Sequence, residues 1–492
     1  MKNRQKWIIW MILIGATVLR LYRIGARSIQ YDDAFSYFLS IQSLSNIISG
    51  TAADTMPPFY YFLLHFWSFV GTSIWFLRLL SLIFSLAIVF LVYKFEKMMF
   101  GDVAAYIAAF ITAISPFQIY HAQELRMYTI LLLAQLSYSY FFVKIFYYSK
   151  ENTGRNWFDP IFLVISGIVA LYSHSLAIFG LIFADLILIF EKKWKQLFKL
   201  ISYQGIMILF FIPWLFYLPG QIQKVQTAFW TPRPGLLEIL QAILVFTINL
   251  PLKGLLLYVG AILSIEVIVL VIFEVVRQKK TNKNIFLLIW MSIIPPVSLF
   301  IVSYLMRPVF VPRAFIISSI GYYMIAGVLI AKSLKRGGGT LILIGFVLAS
   351  IISLPAYYSF SEFPRSPYLE MTNYLSQECK NTEIILHDNK LSFFPSHYYA
   401  PDLQQAFLAD QPGSQNDTLD YQTQQSMDIF PVDDVDSAIE NKTKIYFVVF
   451  EQAIQDYQSE GYDSHPVLNW LQKERALEKQ VKFGDLWIYE FK

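Results

Sequence analysis

Residues 7–34 read WIIWMILIGATVLRLYRIGARSIQYDDA. An apolar run fit to enter a hydrocarbon core of ~30 Å gives way, within a few residues, to two adjacent carboxylates, Asp32 and Asp33. The run starts after Lys2, Arg4 and Lys6 and no small-residue cleavage site follows it, so it reads as a retained anchor and not as a signal peptide. Charge beside a bilayer is costly to bury and persists where something uses it.

Working outward, the chain has 492 residues, 56% hydrophobic and 15% charged. Further apolar runs lie near 73–93, 103–119, 127–148, 158–173, 175–190, 200–218, 254–276, 285–304, 313–331 and 340–358. With the first run they predict a polytopic α-helical membrane protein of about eleven spans. The stretch Leu236–Leu250 is too short for that series and reads as an amphipathic or re-entrant helix. The basic loops at Lys94/Lys97, Lys150/Arg155, Lys192–Lys195, Arg277–Lys280 and Lys332/Lys335/Arg336 then share one side, which the positive-inside rule makes cytoplasmic. From Ser359 onward the chain holds 22 acids against 10 bases, which puts this tail on the far side. The single cysteine, Cys379, excludes an internal disulfide and any multi-cysteine metal centre.

The side opposite the basic loops gathers the polar chemistry. Its first loop, about 25–72, holds Asp32, Asp33 and Met56-Pro57-Pro58-Phe59-Tyr60-Tyr61. Later turns supply His121-Ala122-Gln123-Glu124-Leu125-Arg126-Met127-Tyr128, then His174, then Lys224, Trp230 and Arg233, then Arg307 to Arg313. Bundled spans would let these groups converge on one outward cavity.

The order of these motifs resembles the GT-C glycosyltransferases, in particular the bacterial branch related to protein O-mannosyltransferases and aminoarabinose transferases. The resemblance covers about residues 7–358 and is strongest in the first 180. It implies an inverting enzyme that moves a sugar from a polyprenyl-phosphate donor to a glycolipid, polysaccharide or protein at the outer face of the plasma membrane. Asp33 stands where that family has Glu, and Met56 where it commonly has His. By this match Asp32 is the favoured base, with Asp33 and Glu124 as further catalytic carboxylates. Arg126, Tyr128, His121, Gln123, His174 and Arg313 become substrate-binding candidates. A divalent cation is a possible cofactor, because the family has metal-dependent and metal-free members.

The chemistry asks for the same residue types independently. Transfer from a lipid phosphate needs a base for the acceptor hydroxyl and cations for the departing phosphate. Burial and a neighbouring carboxylate both raise a carboxyl pKa, which improves a base. Arginine suits phosphate through its planar fork, so Arg126 and Arg313 lead, with Arg78, Arg233 and Arg307 in reserve. Extended geometry at Asp32-Asp33 would turn the two acids to opposite sides, leaving one for the acceptor. Glu124 and Arg126 share a cavity only if the backbone between them is a turn. Simpler roles compete: Asp32/Asp33 capping a helix from Ala34, Glu124/Arg126 as a structural ion pair, Arg313 snorkelling to an interface, and His174 as a packing residue.

The domain division predicted is 1–358, membrane, and 359–492, a small extracytoplasmic α/β domain with strands at Glu383–Leu386, Lys444–Phe450 and Leu486–Phe491 and helices at Met371–Cys379 and Val467–Ala476. Gln411–Asp436 is polar and turn-rich and reads as partly disordered. A transporter or lipid flippase is the alternative class; against it, no internal repeat is visible and the polar groups lie at span ends. Nothing suggests a nucleic-acid partner.

Overall fold

The first apolar run folds as the helix Lys2–Leu21. A computed structural model gives the structure over residues 2–149, 157–227, 231, 233–249, 252–277, 283–334, 337–380, 382–411, 414 and 416–492. Trp230 and six of the expected basic loop residues (Lys150, Arg155, Lys279, Lys280, Lys335, Arg336) fall outside these residues. Among the described residues, six helices are long and apolar enough to cross a membrane: Ile74–Phe100, Tyr128–Tyr148, Trp194–Leu215, Leu255–Arg277, Lys283–Leu305 and Gly338–Ser359. Shorter apolar helices are Trp7–Leu21, Phe158–Ser173, Leu236–Thr247 and Ile317–Ser333. The run near 175–190 is not one helix; it breaks into a 3₁₀ turn, Ala177–Gly180, and the helix Phe183–Phe190.

Contacts divide the chain into two units. The first comprises 1–24, 51–67 and 77–359. Its helices present many bare apolar side chains, such as Trp10, Ile14 and Val18 on the first helix, as a lipid-facing surface does. Inside, small residues bring backbones together. A Cβ on Gly327 would lie 3.0 Å from the Ala108 backbone nitrogen and 3.1 Å from the Ala104 carbonyl, so only glycine permits this approach.

A bend of 59° separates the helices Asp102–Ile114 and Pro116–Ala122. Its causes are local. Pro116 has no N–H to continue the ladder, and Ser115 restarts the helix by accepting from the Gln118 N–H. The bend leaves the last carbonyls of the first helix without intrahelical donors. The buried guanidinium of Arg20 satisfies them, donating to the Ala113 carbonyl at 2.8 Å and the Thr112 carbonyl at 3.3 Å. Ser115 Oγ also pairs with the Tyr323 hydroxyl at 2.8 Å. This bend aims the chain into the turn that carries the polar cluster.

The second unit comprises 25–50, 68–76 and 360–492, so the stretch bearing the acid pair groups with the C-terminal tail. Its sheet has five strands, β1 (Ile384–His387), β2 (Gln405–Phe407), β3 (Ile445–Phe450), β4 (Leu477–Phe483) and β5 (Leu486–Phe491), in the order β2-β1-β3-β5-β4. β1 is parallel to β2 and β3, and β5 is antiparallel to β3 and β4. β3 is buried along its whole length, as its uninterrupted apolar run requires. β4 is a mostly exposed strand, rich in polar residues, and with β5 it forms the hairpin that Lys482-Phe483-Gly484-Asp485-Leu486 suggests in the sequence. Gly484, with φ at +60°, turns β4 into β5. The stretch Gln411–Asp436 is not featureless: it contains the helix Tyr421–Met427 and the start of the helix Val435–Ile439.

Candidate active site

In the first unit, the chain leaves the helix Pro116–Ala122, turns over Gln123–Met127 and re-enters a helix at Tyr128. That turn is what lets Glu124 and Arg126, two residues apart, avoid opposite helix faces. His121 closes back on it: its Nδ1 lies 2.8 Å from Glu124 Oε2, and both side chains are buried. Ser81 Oγ donates to the Glu124 carbonyl at 2.6 Å and anchors the turn to the helix Ile74–Phe100.

Tyr128 links three of the candidates. Its ring lies 5.0 Å from the His121 ring and 6.2 Å from the His174 ring. The Arg313 guanidinium sits 5.6 Å from the Tyr128 ring centroid, in cation–π range. Arg313 reaches it from the 3₁₀ turn Pro312–Phe315, just before the helix Ile317–Ser333.

His174 lies just past the helix Phe158–Ser173, and its Nδ1 accepts the Leu176 N–H at 3.0 Å. Burial, reinforced by the charges of Arg313 and Arg126, pushes its pKa down to about 3. A neutral ring with Nδ1 accepting carries its proton on Nε2. Both arginines therefore act on one buried imidazole.

Gln123, expected to bind substrate, is taken up by structure. Its Nε2 donates to the carbonyls of Arg20 at 2.7 Å and Tyr22 at 2.9 Å, and its Oε1 accepts the Tyr357 hydroxyl at 3.0 Å. It joins the end of the first helix to the helix Gly338–Ser359. Of the reserve arginines, Arg78 is buried and donates to the Ile24 carbonyl at 2.9 Å, Arg307 is half-buried and Arg233 is exposed. Sequence reading passed over Arg20 and Tyr357, which hold the turn in place. An arginine within an apolar run is itself the signal that could have found Arg20.

In the second unit, Asp32 and Asp33 occupy the first turn of the helix Tyr31–Ser40. They are helical, not extended as expected, so their side chains diverge by ~100° and not by a half-turn. The N-cap is Gln30, not either acid. Acids in a first turn complement the helix dipole. Asp33 is fully buried, with Gln30 Nε2 3.4 Å from its Oδ1, whereas Asp32 is half-buried. Of the pair, Asp32 is the one with surface to offer a ligand.

The helix Lys390–Tyr399 braces this acid helix. Tyr31, Phe35 and Phe38 pack on Phe394 at 5.3, 6.4 and 5.8 Å between ring centroids. The Tyr399 hydroxyl accepts the Ile29 N–H at 2.8 Å, and the Tyr398 hydroxyl donates to the Thr72 carbonyl at 2.7 Å. Among the described residues no three His, Cys, Asp or Glu side chains gather as a cation site.

Residues 55–217 match the model of the dolichyl-phosphate-mannose-protein mannosyltransferase family. The chain is also similar in structure to ArnT from Cupriavidus metallidurans in the apo state, with a TM-score of 0.65 at 11% identity, over 99% of this chain and 98% of that one. The same protein bound to undecaprenyl phosphate gives 0.63 at 11% identity, over the same shares. The oligosaccharyltransferase AglB from Archaeoglobus fulgidus, in complex with an inhibitory peptide and a dolichol-phosphate, gives 0.51 at 11% identity, over 93% of this chain and 70% of that one. No curated protein matches the chain by sequence.

Proposed function

From the family match over residues 55–217 and the likeness of its fold to ArnT, we propose that this chain is a multi-pass membrane glycosyltransferase of GT-C type that moves a sugar from a polyprenyl-phosphate donor to a glycolipid, polysaccharide or protein acceptor, with inversion. The reaction is placed at the outer face of the plasma membrane, with the C-terminal unit extracytoplasmic, on the charge asymmetry between loops and tail. The ArnT structure with undecaprenyl phosphate and the AglB structure with a dolichol-phosphate support a lipid-phosphate donor.

One observation carries the reading: Arg126 and Arg313 both bear on the buried, neutral His174. Two guanidinium groups beside an uncharged imidazole suit a phosphate, which a guanidinium can meet bidentately. In the transfer the acceptor oxygen attacks the anomeric carbon as the bond to the phosphate oxygen breaks. The bonding pair leaves with the phosphate, where Arg126 and Arg313 stabilise it. The acceptor proton passes to Asp32, with Asp33 shaping its field. Glu124 orients His121, and Tyr128 and His174 line the same region.

The test supplies wild-type and variant membranes with radiolabelled polyprenyl-phosphate sugars. Label should leave the lipid in wild type, fall to background in Arg126→Ala and persist in part in Arg126→Lys, which keeps charge without the fork. Retention of every label on the lipid in wild type would overturn the transferase reading. Normal donor use by Arg126→Ala would remove that residue from the phosphate site.

A further inference from the structure

We infer that His121 reads a sugar hydroxyl and so helps decide which saccharide this enzyme accepts. The inference rests on the transferase reading above and adds to it a specificity-determining contact.

It begins with the ring's tautomer. Glu124 Oε2 lies 2.8 Å from His121 Nδ1, and a carboxylate can only accept. In the neutral ring the proton is thereby drawn to Nδ1, which leaves Nε2 with a bare lone pair. Nε2 is buried and has no hydrogen-bond partner among the described residues. The other imidazole of the cluster differs here, since His174 Nδ1 already accepts the Leu176 N–H. A buried acceptor left unmatched is costly, and such atoms call for an explanation.

The chemistry of the neighbourhood narrows the ligand. A lone pair needs a hydrogen to accept. Ionised phosphate has none to give, so Nε2 does not serve the anion that the arginines suit. A protonated amine has hydrogens, but the aromatic surroundings of this buried ring make a further buried charge costly. A neutral hydroxyl satisfies both conditions. The ring is held by aromatic edges and faces, with Phe117 at 4.7 Å, Tyr120 at 5.1 Å and Tyr128 at 5.0 Å. Such packing fixes the direction of the lone pair, and aromatic walls also suit the apolar faces of a sugar ring. The hydroxyl belongs to the donor sugar or to the acceptor sugar, and the two sources separate by experiment.

The probes are the polyprenyl-phosphate sugar, hexose or pentose, that wild-type membranes turn over fastest, its full set of monodeoxy analogues and, in a second arm, monodeoxy forms of the acceptor that receives the label. A site built to hydrogen-bond a hydroxyl rejects the analogue lacking it, because the buried partner is left unmatched. Wild type should therefore penalise one deoxy compound by about 10- to 100-fold in kcat/KM. The arm in which the penalty falls identifies the donor or the acceptor as its source. In His121→Phe, which keeps a ring but no lone pair, the parent substrate should lose activity and the penalty should shrink to a few-fold. His121→Gln, whose amide oxygen can accept, should restore part of the discrimination. Wild type taking every monodeoxy compound nearly as well as its parent overturns the inference with no variant needed. So does a His121→Phe enzyme that discriminates as wild type does. No transfer from any polyprenyl-phosphate sugar would instead defeat the transferase reading on which the inference stands.

Discussion

At the scale of single residues, Asp32 and Asp33 are neighbours with different surroundings. The half-buried Asp32 is the proton acceptor in the proposed transfer, and the buried Asp33 is part of its setting. Asp32→Asn preserves shape and removes the base, so the transfer rate should fall by ~10²-fold or more with protein level in the membrane unchanged; Asp33→Asn should harm activity less. Near-normal turnover in both would remove the pair from catalysis. His387, in the second unit, gives a prediction of another kind. Its Nδ1 pairs with Ser392 Oγ at 3.0 Å and its Nε2 with Gln405 Oε1 at 3.1 Å. Burial, with the nearby His397 adding to it, pushes the His387 pKa from 6.5 down to about 3, against a favourable bond to Gln405. The unfolded chain thus takes up a proton that the folded one refuses. Stability from this group is complete above 6.5 and is lost as pH falls from there toward 3, by up to ~1.4 kcal/mol per pH unit. Unfolding of the full chain in detergent across that range should show the slope in wild type and a flatter curve in His387→Gln. Equal slopes would mean that His387 charges without cost in the fold.

At the scale of elements, the acid helix Tyr31–Ser40 depends on the helix Lys390–Tyr399. Phe394 is fully buried where three aromatic rings of the acid helix meet it. Phe394→Ala removes that contact at a cost of roughly 3–5 kcal/mol. It should expose the stretch 25–50 to limited proteolysis and lower transfer with no change at the arginines. Unchanged protection of 25–50 would show that the helix holds its place without Phe394. The same contact explains what sequence alone missed. The acid pair stood out as charge next to an apolar run, but its helical geometry comes from partners far along the chain. The membrane helices were legible because length and apolarity are local properties, and β1, β3 and β5 because each is a compact apolar run. The bonds of Gln123 were hidden for a related reason: the carbonyls of Arg20 and Tyr22 that it reaches lie 103 and 101 residues away in sequence.

At the scale of the whole molecule, the first unit is built mainly of apolar helices and the second is an acidic α/β sheet domain completed by two segments from the N-terminal region. The proposed topology puts Lys492 outside the cytoplasm, so a reporter that works only there should be active when fused after it. Activity confined to a cytoplasm-only reporter would overturn the outer-face assignment.

The discontinuity of the second unit has a consequence in time. Ile29 and Tyr399, joined by a hydrogen bond, are 370 residues apart in sequence. At ribosomal rates of 5–20 residues per second, the acid segment waits roughly 20–70 s between its own synthesis and that of its brace. A nascent or prematurely terminated chain can insert its helices while this segment stays unbraced. In the proposed reaction, competence then waits for the synthesis of the helix Lys390–Tyr399.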